Sequence, residues 1–181
     1  MVIASLIEYQ TLFSLHTLSD KVKIENGVIK SLSSVGSFKT VLGKQVLKPN
    51  HIYAFSFKIV NALTCKIGII EKTLADEFIQ KKSDCPGSFS DLNSGFSVFS
   101  NGFPRNGSNK DNPKLKPFFR ALAAGDIVSV IFNGIDGRLE FYLNKEFGGY
   151  FIDTSFKTTE YYPAVDIQGE MTMIEQILLE E

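Results

Sequence analysis

Residues 125–147 have the sequence GDIVSVIFNGIDGRLEFYLNKEF, and this stretch decides the fold. Its first half, Ile127 to Phe132, is a short apolar run rich in β-branched residues. In its second half Leu139, Phe141 and Leu143 alternate with polar neighbours. Both patterns are typical of β-strands. The five residues between them, NGIDG, contain two turn dipeptides whose glycines can adopt the positive φ of a tight hairpin. The stretch therefore predicts a β-hairpin with one buried face.

The rest of the chain repeats this kind of pattern. The clearest further strand is 51–60, where aromatic and aliphatic residues alternate with small or polar ones. Residues 71–94 are long and polar, and we expect a functional or inserted loop there. Residues 2–13 fit a short amphipathic helix and an edge strand equally well. Residues 103–116 predict an exposed loop. Other strand candidates are 22–24, 28–30, 65–70, 95–99, 150–152, 161–167 and 171–174.

Size and composition favour one globular domain. A chain of 181 residues and 20.1 kDa fits a single core, and 44% hydrophobic with 22% charged residues argues against a disordered or membrane-spanning chain. The net charge of -1 provides no global attraction to nucleic acid or to an anionic membrane. No Lys or Arg precedes the apolar N-terminus, so a signal peptide is not indicated. We therefore expect a cytoplasmic protein in which Cys65 and Cys85 are free thiols.

Local charge is less even than the net charge. Residues 104–120 carry five basic residues against one Asp, a net charge of +4. A solvated loop is the ordinary interpretation. The alternative is RNA binding through the loop 105–120, with Phe103, Phe118 and Phe119 as stacking candidates, although these Phe also fit a core. The possible basic contact residues are Arg105, Lys110, Lys114 and Lys116.

Catalytic patterns are weak throughout the sequence. A nucleophilic triad needs a histidine base, and only His16 and His51 exist, the second beside a turn at a strand entrance. Residues 36–44 fail as a phosphate loop because six residues separate the glycines where four are needed, and Gln45 replaces the magnesium-binding Ser or Thr. Two Cys and two isolated His make no zinc pattern. We expect no enzyme activity, no cofactor and no metal.

Several short segments follow one another in a characteristic order: Asn26-Gly27, Gly43 and the strand 53–58, Lys66-Ile67-Gly68-Ile69, 95–97, 100–102, the central hairpin and Tyr162-Pro163-Ala164-Val165. In this order and spacing they resemble the SPRY domain over residues 22–174. The resemblance implies a bent antiparallel β-sandwich of concanavalin-like architecture, flanked by an N-terminal extension or edge element at 1–21 and an acidic tail at 175–181. Two departures mark a diverged member: Ala54-Phe55 replace the usual Trp and Glu, and Lys145 stands where Gly often closes the turn after Asn144.

The resemblance implies a non-catalytic protein-protein interaction module, because SPRY domains generally present loops at one end of the sandwich to a peptide or protein. The positions that match the partner-binding residues of peptide-binding members are Phe78, Ile167, Gln168 and Gly169. Gln168 stands where the better-known peptide binders have Trp, so their ligand motif does not transfer.

We further expect a single-domain structural or adaptor subunit of a larger assembly. The preference for Lys, Asn, Ile and Phe over Trp and Arg is typical of an AT-rich genome, as in many protists, and favours a ciliary or cytoskeletal assembly. The alternative is a lectin-like or small-ligand-binding sandwich, a use of this architecture that normally relies on a Trp or Tyr platform.

Overall fold

The computed structural model describes residues 9–10, 14–32, 37–61, 64–83, 85, 87–109, 111–169 and 173–177. Fourteen strands, one α-helix and two short 3₁₀ turns occur among these residues. In chain order they are β1 Tyr9–Gln10, β2 Leu15–Thr17, β3 Val22–Glu25, β4 Val28–Ser31, β5 Lys39–Gly43, β6 Ile52–Asn61, β7 Thr64–Glu71, α1 Lys72–Lys81, the 3₁₀ turn Phe89–Asp91, β8 Gly95–Phe99, β9 Pro104–Asn106, β10 Ile127–Asn133, β11 Arg138–Leu143, β12 Glu146–Ile152, the 3₁₀ turn Thr154–Lys157, β13 Tyr161–Gln168 and β14 Met173–Ile177.

The strands form two sheets that pack into a β-sandwich. The larger sheet has the order β12-β11-β10-β6-β14-β4-β3, and β1 pairs with β6 in parallel. The smaller sheet has the order β2-β5-β13-β7-β8-β9. Apart from β1, the paired strands are antiparallel. The predicted all-β antiparallel sandwich is confirmed.

The predicted central hairpin is present as β10 and β11. Val130 is paired with Phe141 and Phe132 with Leu139, and all four side chains are fully buried. The turn is held by Asn133, whose side-chain oxygen accepts hydrogen bonds from the backbone N–H groups of Ile135 and Asp136. Alternation along these strands therefore sends one face into the core, as the sequence pattern predicts.

A cluster of aromatic rings fills the space between the sheets. Phe96 lies edge-on to Phe156, with ring centroids 4.8 Å apart, and Tyr161 and Phe132 complete the group at 5.5–6.4 Å. Such edge-to-face pairs add about 0.5–1.5 kcal/mol beyond the burial of their area. Phenylalanine thus provides the aromatic core of a chain that has no Trp.

The expectation of a long loop at 71–94 is wrong, because α1 occupies its first half. Leu74, Ala75 and Phe78 recur at helical spacing and pack on the outer face of the smaller sheet. The helix start is inconspicuous in the sequence, since Glu71 makes no side-chain capping bond. The helix ends at Lys81, and the next residue, Lys82, caps it with a left-handed φ of 48° and donates its N–H to the carbonyl of Ile79.

Two further segments differ from the simple sequence expectation. The predicted exposed loop 103–116 begins with strand β9, which pairs with β8 and buries Pro104 and Asn106. The N-terminal segment contributes β1 and the edge strand β2 to the sheets. Residues 2–8 and 11–13, for which helix and strand were both open, lie outside the described residues, as does the tail beyond β14.

Candidate interaction surfaces

The outer face of the smaller sheet is covered by α1 and the segment that follows it. Along β13, Val165 and Ile167 belong to the core between the sheets, whereas Tyr162 and Ala164 pack in a second apolar cluster outside it. Successive residues of a strand point to opposite faces, so Asp166 and Gln168 share the outer face with Tyr162 and Ala164. The second cluster consists of Leu42, Ile70, Ala75, Cys85, Phe89 and Ala164.

The buried carboxylate of Asp166 links the segment after α1 to the smaller sheet by hydrogen bonds. Asp166 is fully buried and accepts a hydrogen bond from the Thr40 hydroxyl at 2.6 Å and another from the backbone N–H of Phe89 at 3.1 Å. Burial away from water raises the pKa of Asp166 to about 6, although bonds from Ser88 and Thr40 and the charge of Lys66 act in the opposite direction. The carboxylate therefore joins β5, β13 and the 3₁₀ turn in one contact.

A buried lysine continues the same network. Lys66 stands opposite Asp166 in the β7–β13 ladder, and its ammonium group donates to the Ser88 hydroxyl at 2.8 Å and to the Asp91 carboxylate at 3.1 Å. The ammonium also lies 4.6 Å from the centre of the Phe38 ring. Every polar partner here is bonded, so the network specifies how the segment after α1 sits on the sheet.

The four residues predicted to bind a partner lie in different environments. Phe78 is half-buried against the outer cluster. Ile167 is fully buried in the core, so its side chain is not presented to a partner. Gln168 is half-buried on the outer face at the end of β13, and Gly169 follows with a φ of 88°. Ala164, near Phe78, is about 13 Å along the strand from Gln168. The fold thus places Phe78 and Gln168 on one face without bringing them together.

The basic loop 105–120 is only partly available for contacts. Lys114 and Lys116 are exposed, Arg105 is half-buried with its guanidinium 5.9 Å from the Phe99 ring, and Lys110 lies outside the described residues. The last basic residue of the loop, Arg120, forms a bidentate ion pair with Asp126. Arg120 is thereby neutralised within the fold.

The stacking candidates of that loop pack mainly inward. Phe118 and Phe119 contact the core, and the Phe118 ring lies 5.8 Å from Phe141 and 5.6 Å from Phe151. A Cβ at Gly149 would come within 2.2 Å of the Phe118 ring, so this glycine is needed for the packing. Phe103 is half-buried. This inward packing agrees with the core interpretation of Phe118 and Phe119.

A surface that the sequence did not predict lies on β12, the strand at one end of the larger sheet. Phe147, Tyr150 and Ile152 are 53%, 44% and 68% exposed. Phe147 lies against Tyr142 with ring centroids 5.5 Å apart, and the Arg138 guanidinium lies 4.5 Å from the centre of the Tyr150 ring. We call Phe147, Tyr150 and Ile152 the β12 strip. Its apolar composition was visible in the sequence, but its exposure depends on β12 being an edge strand.

The two histidines lie on different sheets, His51 at the entrance to β6 and His16 on β2. His51 contacts the Pro49 carbonyl through Nδ1 at 3.1 Å, and His16 lies on β2. Over the described part of the chain, no group of three His, Cys, Asp or Glu could hold a metal ion. Cys65 and Cys85 are buried and form no disulfide within the described residues. No helix in the described ranges has the length and apolar character to cross a membrane.

Together these features define an antiparallel β-sandwich with one covered sheet face and one apolar edge. Comparison with solved structures makes this a SPRY-like domain and confirms the predicted resemblance at the level of the fold. The SPRY domain of human HERC1 superposes with a TM-score of 0.66 at 14% identity, covering 88% of this chain and 94% of that one. A second human SPRY domain gives a TM-score of 0.67 at 14% identity, covering 93% and 99%. No protein-family model and no curated protein sequence matches the chain.

Proposed function

We propose that this protein is a non-catalytic protein-protein interaction module that serves as an adaptor or structural subunit of a larger assembly. The observation that carries the proposal is the β12 strip. Three large apolar side chains stand exposed on a strand that pairs with β11 on one side and with no strand of the described residues on the other. Apolar edge strands are aggregation hazards unless a partner covers them, so their presence supports a binding role.

The strip suits an extended segment of another protein. A strand added beside β12 would satisfy the backbone groups of its open edge, and apolar side chains of that strand would contact Tyr150 and Ile152. Arg138 and Glu140 form an ion pair of 3.1 Å behind the strip, so the local charges are already balanced. Apolar contact and backbone pairing, rather than charge, would therefore carry the binding energy.

The expected setting is the cytoplasm, and a ciliary or cytoskeletal assembly is favoured by the preference for Lys, Asn, Ile and Phe over Trp and Arg described above. The SPRY-like fold supports a protein, rather than another class of molecule, as the partner. In this proposal Phe78 on α1 and Gln168 with Gly169 at the end of β13 are two further, separate contact positions on the outer face of the smaller sheet.

Site-specific photo-cross-linking tests the proposal. A photoreactive residue replaces Tyr150 in one variant and Ile135 in a matched control, because Ile135 is also an exposed apolar residue, at 51%, but lies in the β10–β11 turn. We expect a discrete protein adduct from position 150 that position 135 does not give. Equal adducts from both positions, or none from position 150, would contradict a docking role of the strip.

A further inference from the structure

A second surface lies on the opposite sheet, between the C-terminal half of α1 and the edge strand β2. It is a cleft of about 310 Å³ whose walls come from β2, β5, β13 and α1. This volume is at the lower end of ligand-binding pockets, which are roughly 300–1,000 Å³. Tyr162 is six residues from Gln168 along β13, about 20 Å, so the cleft is separate from the predicted positions Gln168 and Gly169, whereas Phe78 directly precedes the lining residue Ile79 on α1. The lining residues are His16, Leu42, Gly43, Lys44, Ile79 and Tyr162.

The floor of the cleft is apolar. Leu42 is buried and paired with His16 of β2, and Tyr162 places its ring beside it on the outer face of the sheet. Ile79 is 36% exposed, whereas Leu74, Ala75 and Phe78 of the same helix pack against the sheet. Ile79 thus contributes an apolar wall that the fold leaves uncovered.

The mouth of the cleft carries a lysine, Lys44, that has no carboxylate partner among the described residues. Lys44 is exposed, and its ammonium has no ion pair or side-chain hydrogen bond with the described residues. The nearby carboxylates of α1 are already engaged: Asp76 pairs with Lys72 and accepts the Tyr162 hydroxyl, and Glu77 pairs with Lys81. The carboxylates of Asp76 and Glu77 would therefore not compete with a ligand carboxylate for Lys44.

We infer that this cleft binds an acidic peptide segment of a partner protein. One apolar side chain of that segment would contact Leu42, Ile79 and Tyr162, and an adjacent carboxylate of the segment would pair with Lys44. The charge complementarity selects an Asp- or Glu-containing segment, and the small apolar floor selects a single Leu, Ile or Phe. Together with the β12 strip, the cleft would give the protein two partner surfaces on opposite sheets, an arrangement that suits an adaptor.

The test uses the full chain and three labelled synthetic peptides, with binding followed by fluorescence anisotropy. The first peptide has a central Leu-Phe pair flanked on both sides by Glu and Asp. The second replaces the acids with Gln and Asn, and the third replaces Leu-Phe with Ser-Ser. We expect the first to bind about tenfold more tightly than either control, and more weakly as salt is added, because exposed charge contacts are screened.

Variants of the protein test whether the acidic peptide binds in the cleft. We expect Lys44→Glu to weaken binding of the acidic peptide about tenfold, while Lys48→Glu, an exposed lysine outside the cleft lining, leaves it unchanged. Ile79→Ser should also weaken it, whereas Ile152→Ser on the β12 strip should not, which separates this inference from the proposed function. Thermal unfolding checks that each variant is folded.

Several results would overturn the inference. These are equal affinity for the acidic and amide peptides, no binding of any of the three, or equal effects of Lys44→Glu and Lys48→Glu. Binding of single-stranded RNA that depends on Lys44, without binding of the acidic peptide, would assign the cleft to a different class of ligand. None of these outcomes bears on the cross-linking result at Tyr150.

Discussion

The buried carboxylate of Asp166 makes stability depend on pH in an unusual direction. Its folded-state pKa is about 6, against an ordinary value of 3.8. Because the folded state holds the proton more tightly, its contribution to stability is complete below about pH 4 and is lost as the pH rises through about 6. Lowering the pH should therefore strengthen this part of the fold.

The size of the effect follows from the two pKa values. Between about pH 8 and about pH 5, protonation of Asp166 should add about 1.4 kcal/mol to the free energy of unfolding. Asp166→Asn removes the titration and keeps the shape: an Asn can accept the Phe89 N–H while its amide donates to the Thr40 hydroxyl. The variant should lack this increment, although other groups titrate as before.

We measure the free energy of unfolding of the protein and of Asp166→Asn in urea at both pH values. The change with pH in the protein, minus the change with pH in Asp166→Asn, is the increment that Asp166 contributes. Asp20→Asn, at an exposed position, is the matched control for the same chemical change. If the protein loses stability relative to Asp166→Asn as the pH falls, then Lys66 holds the carboxylate ionised, and the reasoning from burial is refuted.

Three further predictions concern single residues. Lys145 has a φ of 72° beside Asn144 at 51°, so Lys145→Gly should raise the free energy of unfolding by about 1 kcal/mol in urea titrations, and an unchanged value would contradict strain at this turn. Asp126 accepts bonds from Arg120, Asn144 and a backbone N–H, so its pKa lies well below its ordinary value. Asp126→Ala should therefore destabilise the fold by about 2–3 kcal/mol at neutral pH and less in acid below about pH 4, as measured by thermal melting; an equal loss in acid would argue against the ionised carboxylate. Burial raises the pKa of the Cys65 thiol to about 12, so iodoacetamide should label it in urea but not in the native protein; mass spectrometry of the digested protein distinguishes it from Cys85, and labelling of Cys65 in the native protein would show that the site opens.

The hairpin and most strands could be predicted because their patterns are local. Val128 to Leu143 carries its own alternation and its own turn residues, so nothing distant is needed to place them. The order of the matching segments was enough to predict the SPRY-like fold at only 14% identity to its solved neighbours. Helix α1 was missed because its apolar residues are few and no capping residue marks its start.

The surfaces could not be predicted, because they depend on tertiary neighbours. Asp166 sits between apolar residues in a strand, a pattern equally typical of a solvated residue, and it is buried only because the segment after α1 folds over it. Ile167 was matched to a partner-binding position, yet its alternation places it in the core. The β12 strip is exposed because β12 ends the sheet order, which no local pattern encodes.

The most direct test of the interaction role is the native size of the protein in gently lysed source cells. We compare the protein with a Phe147→Asp, Ile152→Lys double variant and with the control Ile135→Lys. The protein and the control should fractionate within a large complex, whereas the double variant should fractionate near its chain mass of 20.1 kDa. A protein that itself fractionates near this mass, or a double variant that stays in the complex, would contradict the account.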